Sequence, residues 1–146
     1  MPTPATESDN DSIIFGINMV IVRLMGGMGN QMFQYAIAKS MAQRNNDIFK
    51  LDLSFYPKQT LRKYELDLFK INENIATEKE CIKLRGKEGF FFKIANKLNM
   101  PLNRPFAYIR EKQISLFDEK MFSLKGDIYL DGYWQNEQYF KKIRKK

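Results

Sequence analysis

The sequence predicts an α/β fold, and three observations carry that prediction. An apolar, β-branched run (Val20, Ile21, Val22, Leu24) leads through Gly26-Gly27-Met28-Gly29 into an amphipathic stretch, the order of strand, glycine turn and helix. Ile48 to Leu53 supplies a second apolar run just after that helix. Far along the chain, Asp127 to Tyr133 alternates Ile128, Leu130 and Gly132 against Tyr129, Asp131 and Tyr133, which reads as another strand.

Taken in order, residues 1–18 are expected to form a disordered leader, polar and acidic through Ser12, with Met19 as an alternative start. Strand one spans Val20 to Leu24. Helix one spans Gln31 to Arg44, with Phe33, Ala36, Ile37, Ser40 and Met41 at helical spacing and Asn45-Asn46 as its stop. Strand two ends in the Ser54 to Lys58 loop. Pro57 to Lys63 is polar and basic, and Tyr64 to Ile71 fits a short strand or an irregular extended segment. Thr77-Glu78-Lys79-Glu80 is a capping box that starts a helix through Leu84, stopped near Gly86. A further helix is expected over Phe90 to Leu98, then a linker from Pro101 to Pro105. Asn136 is expected to cap a final helix carrying Tyr139, Phe140 and Ile143.

Composition narrows the function. The chain has 146 residues, 44% hydrophobic and 14% aromatic, enough for one modest core. Its one cysteine, Cys81, excludes an internal disulfide and fits a reducing, cytoplasmic compartment. There is no His, which removes His-based acid–base and metal chemistry. No apolar run approaches the roughly 20 residues of a membrane span. The formal charge of +7 is concentrated in Lys141-Lys142-Ile143-Arg144-Lys145-Lys146. Such a balance suits a nucleotide diphosphate, an anionic headgroup or nucleic acid. No RNP motif, zinc spacing or recognition helix accompanies it, which argues against nucleic acid.

The glycine run carries the chemistry. Gly26, Gly27 and Gly29 allow positive φ and close approach to the main chain, and Asn30 and Gln31 add two amides that both donate and accept. Neither G-x-G-x-x-G nor a P-loop is present. A ligand-facing turn and a tight structural turn both remain open, and Asn30 also suits a plain helix N-cap. At a strand end, Gly132-Tyr133-Trp134-Gln135 offers aromatic stacking plus an amide to a sugar. Trp134, the only Trp, is favoured as an anchor for the last helix.

Arg23-Leu24-Met25-Gly26-Gly27-Met28-Gly29-Asn30-Gln31-Met32-Phe33-Gln34-Tyr35-Ala36 closely resembles the N-terminal motif of glycosyltransferase family 11, the α-1,2-fucosyltransferases. Leu51-Asp52-Leu53-Ser54, Tyr64-Glu65-Leu66-Asp67-Leu68-Phe69 and Leu130-Asp131-Gly132-Tyr133-Trp134-Gln135 match in the same order. The resemblance implies a truncated enzyme of the GT-B type: residues 19–146 form its Rossmann-like N-terminal domain, and the donor-binding C-terminal half, with its His-x-Arg-x-Gly-Asp-Tyr motif, is missing. It implies transfer of L-fucose from GDP-fucose to a galactose-containing glycan in surface-glycan synthesis. No metal or other cofactor is expected, and membrane contact is at most peripheral. Asn30 becomes the catalytic candidate. Gly26, Gly27, Gly29, Gln31 and Arg23 become the donor-facing loop, and Tyr133, Trp134 and Gln135 the acceptor contacts. The chain on its own is expected to be inactive; a non-catalytic glycan- or partner-binding remnant is the alternative.

Overall fold

The computed structural model describes residues 16–87 and 107–145, with Ile94, Lys97 and Leu98 between them. The leader up to residue 15, the Phe90–Phe92 run, most of the helix expected over 90–98 and the 101–105 linker lie outside the described residues. Four strands form one parallel sheet: β1 (Met19–Arg23), β2 (Ile48–Asp52), β3 (Tyr108–Arg110) and β4 (Ile128–Asp131), in the spatial order β2-β1-β4-β3. The architecture is α/β with a Rossmann-like parallel sheet.

The strands read as apolar runs because both faces of the sheet are covered. Val20, Val22 and Leu24 of the β1 segment, with Ile128 and Leu130 of β4, pack with Ile37, Ala38 and Met41 of α1 (Met28–Asn45). Ile21 and Tyr129 point the other way, to Cys81 and Leu84 of α2 (Glu78–Arg85). Period-two alternation therefore separates two apolar clusters rather than core from solvent.

Helix α1 begins three residues before the expected Gln31. Gly27 is its N-cap and offers no side-chain hydrogen bond, so the helix starts inside the glycine run and Asn30 is not a cap. The buried face also differs from the expected stripe. It carries Gln31, Gln34 and Ser40 beside Ile37, Ala38 and Met41, whereas Phe33 and Ala36 are half-buried. Asn46, at φ 58°, ends the helix in the left-handed conformation that Asn tolerates.

The capping box at Thr77 is present in both directions: Glu80 N–H donates to the Thr77 hydroxyl, and Thr77 N–H donates to the Glu80 carboxylate. Gly86 closes α2. Residues 64–71 are irregular, with one 3-10 turn at Leu66–Leu68. Strand β3, three residues long, has no counterpart in the sequence reading, because so short a run shows no usable periodicity.

Strand β4 stops at Asp131 instead of Tyr133. The N–H groups of Tyr133 and Trp134 donate to the Glu111 carboxylate (2.7 and 3.1 Å), and Trp134 turns to φ 57°. After Asn136, which caps as expected, two 3-10 segments replace the α-helix, Glu137–Tyr139 and Lys141–Lys145.

Candidate functional site

The strand order reverses direction between β1 and β4: from β1 the chain moves outward to β2, then returns through β3 and β4 on the other side. In open parallel sheets the crevice beyond the carboxyl ends of such a strand pair is where ligands bind. Two of the segments singled out in the sequence meet there, the Gly26–Gln31 turn after β1 and the Gly132–Gln135 segment after β4. A hydrogen bond from Gln135 Nε2 to Asn30 Oδ1 joins them across 105 residues of sequence.

Gln34 builds that junction. It is fully buried, its Oε1 accepts from Met25 N–H (3.0 Å) and its Nε2 donates to the Gly132 carbonyl (3.0 Å), so one side chain ties the two turns together. Its residue type hides it in the sequence, because an amide suggests the surface, although it stands at helical spacing from Ile37, Ala38 and Met41.

Gln31 is corrected from a ligand-facing to a structural role. It is fully buried; Nε2 donates to the carbonyls of Gly26 (3.1 Å) and Lys63 (2.8 Å), and Oε1 accepts from Glu65 N–H (2.9 Å). The Tyr56 hydroxyl also donates to Gly26 O (3.1 Å). Burial, and next the nearby Glu65 charge, hold that phenol well above the usual tyrosine range. Gln31 and Tyr56 together pin the 56–65 loop onto the glycine turn.

Gly26 adopts φ +78°, which favours glycine. A Cβ there would also lie 2.4 Å from Asn30 Nδ2, and one on Gly27 would lie 3.2 Å from Arg62 Nη1. Gly29 faces open space. Asn30 is half-buried, with Oδ1 engaged by Gln135 and no acceptor for Nδ2 among the described residues. The end of the Asn30 amide left over is therefore the donor end, which can give a hydrogen bond to an oxygen acceptor and cannot serve as a base.

The remaining candidates separate. Tyr133 and Gln135 are half-buried at the rim of the crevice. Trp134 is 1% exposed and packs edge-on to Tyr139 at 5.8 Å, so its ring face is not presented to a sugar and it anchors the C-terminal segment. Arg23, half-buried at the end of β1, pairs in register with Asp52 and lies near enough to Tyr129 to act on its hydroxyl.

A second polar group lies at the neighbouring corner, where β2 meets α2. Asp52 (2% exposed) accepts from the Tyr129 hydroxyl and from Ser54 N–H (2.9 Å), and Arg85 Nε is 3.7 Å away. Burial alone would raise the Asp52 pKa. The hydrogen bonds from Tyr129 and Ser54, with the Arg85 charge, outweigh it and hold the carboxyl below its ordinary range. Burial, with Asp52 alongside, pushes the Cys81 thiol up to about 12, so it stays protonated and unreactive. Among the described residues no group of His, Cys, Asp and Glu could hold a metal ion, and no helix is long and apolar enough to cross a membrane.

With this geometry in hand, the likeness to known proteins is specific. The chain is 33% identical over 136 residues to an alpha-1,2-colitosyltransferase of Escherichia coli, covering 89% of this chain and 43% of that protein. The chain is thus homologous to a glycosyltransferase, a class that works on a sugar donor and a glycan acceptor, and spans less than half of that relative's length. No family model matches it, and no solved structure matches it.

Proposed function

We propose that this chain is the N-terminal, Rossmann-like half of a GT-B-type α-1,2-fucosyltransferase of family 11, moving L-fucose from GDP-fucose to a galactoside. The observation that carries the reading is the meeting of Asn30 and Gln135 over the Gly26–Gly27 turn at the β1/β4 switch point. The α-1,2 linkage in the relative's name supports it. In the reaction an acceptor hydroxyl oxygen bonds to the anomeric carbon as the diphosphate leaves with the bonding pair, and the hydroxyl proton passes to the departing diphosphate or to water. Asn30 Nδ2 donates to an oxygen of the reacting sugar or its diphosphate, and the open space at Gly29 lets that group approach the main chain. Gln31 and Gln34 hold the turn in place. We place the reaction at the cytoplasmic face of a membrane, without a metal, and assign the diphosphate-gripping arginine motif to a second half beyond these residues.

The longest protein carrying this chain, supplied with GDP-fucose and a β-galactoside, should yield a product whose linkage NMR identifies as α-1,2. Parallel reactions with GDP-colitose decide the sugar. Transfer of colitose alone would replace fucose in the proposal, and no transfer of either would remove it.

A further inference from the structure

The loop between β2 and Tyr64 holds a feature that no motif accounts for. A cavity of about 310 Å³ is lined by residues that include Tyr56, Gln59, Arg62, Lys63 and Glu65. It lies beside the glycine turn, because Tyr56 and the backbone of Lys63 and Glu65 are hydrogen-bonded to Gly26 and Gln31. These bonds fix the loop from both ends, so the exposed Arg62 is carried by a braced segment. Its guanidinium reaches within 3.2 Å of where a Gly27 Cβ would stand, and it has no ion pair or hydrogen bond among the described residues. The Glu65 carboxylate on the cavity wall does not pair with it.

Asn30 Nδ2 occupies the equivalent place at Gly26, 2.4 Å from a Cβ position there. Each of two successive glycines thus has a side-chain donor beside the place its own Cβ would take, Asn30 at Gly26 and Arg62 at Gly27. Gln135 occupies the acceptor end of Asn30, and a guanidinium has no acceptor end. Such a pair is matched to an oxyanion, and the fork of an Arg suits phosphate oxygens best.

We infer that Arg62 and Asn30 form an oxyanion-binding pair over Gly26-Gly27 that takes the diphosphate of the sugar-nucleotide donor, Arg62 being the specificity residue. The inference deepens the transferase reading and rests on it for the identity of the ligand, while the anion site is measured separately. The isotope-labelled 146-residue chain is titrated with inorganic pyrophosphate and followed by the backbone amide signals of Gly27, Gly29 and Asn30. Arg62→Ala should weaken binding at least fivefold. Arg62→Lys, which keeps the charge and loses the fork, should fall between it and the parent, and Lys120→Ala, elsewhere on the surface, should change nothing. Equal affinity in Arg62→Ala and the parent, no binding by the parent, or shifts confined to residues 141–146 would overturn the site. In the longest protein carrying the chain, Arg62→Ala should raise KM for the sugar nucleotide at least fivefold with kcat less affected. Transfer with an unchanged KM sinks the donor assignment and leaves the transferase standing. Arg62-dependent pyrophosphate binding without any transfer keeps the anion site and sinks the transferase.

Discussion

Where β2 runs into α2, Asp52, Tyr129 and Arg85 are buried and answer one another; where β1 and β4 end, Asn30 and Arg62 keep donor groups that nothing among the described residues takes up. Both corners lie on the carboxyl edge of one sheet, and both collect polar side chains. The first closes on itself and braces the fold. The second is braced from behind by Gln31, Gln34 and Tyr56 and left open in front. Polar residues at a ligand-binding edge are thus distinguished by whether their partners lie within the protein, more than by residue type.

The strongest way to break this contrast is Asp52→Asn. It leaves the Arg85 guanidinium buried without its carboxylate, and the expected loss is about 3–5 kcal/mol in denaturant unfolding. A loss below about 1 kcal/mol would show that the corner is not the closed network described. The same variant tests the pH dependence. The Asp52 pKa is lowered in the folded protein, so its contribution is present above the unfolded value of about 4 and disappears as pH falls through the folded value. Unfolding midpoints of the parent should drop on acidification below about pH 4 by more than those of Asp52→Asn.

Gln34→Leu comes next. It orphans Met25 N–H and the Gly132 carbonyl and should cost about 2–3 kcal/mol. If Gln34 only fills space, the near-isosteric change would leave stability unaltered. Asn30→Ala sharpens the open side. In the longest protein carrying the chain it should reduce sugar transfer at least tenfold, equivalent to about 1.4 kcal/mol at the transition state. Its unfolding midpoint should fall only slightly, because Asn30 caps nothing and gives up one part-buried hydrogen bond, from Gln135; retained activity would remove Asn30 from the site. Smallest is Thr77→Ala, remote from both corners, which breaks the capping box for about 1 kcal/mol with no change in pyrophosphate affinity.

Much of the site's position was legible in advance, and its division of labour was not. Gly26-Gly27-Met28-Gly29 and Gly132–Gln135 each stand out by residue type and strand context, and they are neighbours in the fold. Asn30 and Gln31 looked alike as adjacent amides in one motif. Helix α1 turns about 100° per residue, so one points into the core and the next toward the crevice. Residue type leaves Trp134 both as a sugar platform and as the favoured anchor of the C-terminal segment, and its packing against Tyr139 is that of an anchor.

By itself, the sequence determined β1, β2 and the body of β4, the glycine break between β1 and α1 and the capping box of α2, because each is set by side chains within a few residues of one another. It could not show β3, which is too short to carry a period, or the start of α1 inside a glycine run. Only the tertiary structure decided that Gln34 reaches Gly132, that Tyr56 and Gln31 hold the 56–65 loop, and that Arg62 lies over Gly27. Those contacts join segments tens of residues apart, and hydrogen-bond partners at that separation are chosen by how the sheet and helices pack, not by the local pattern.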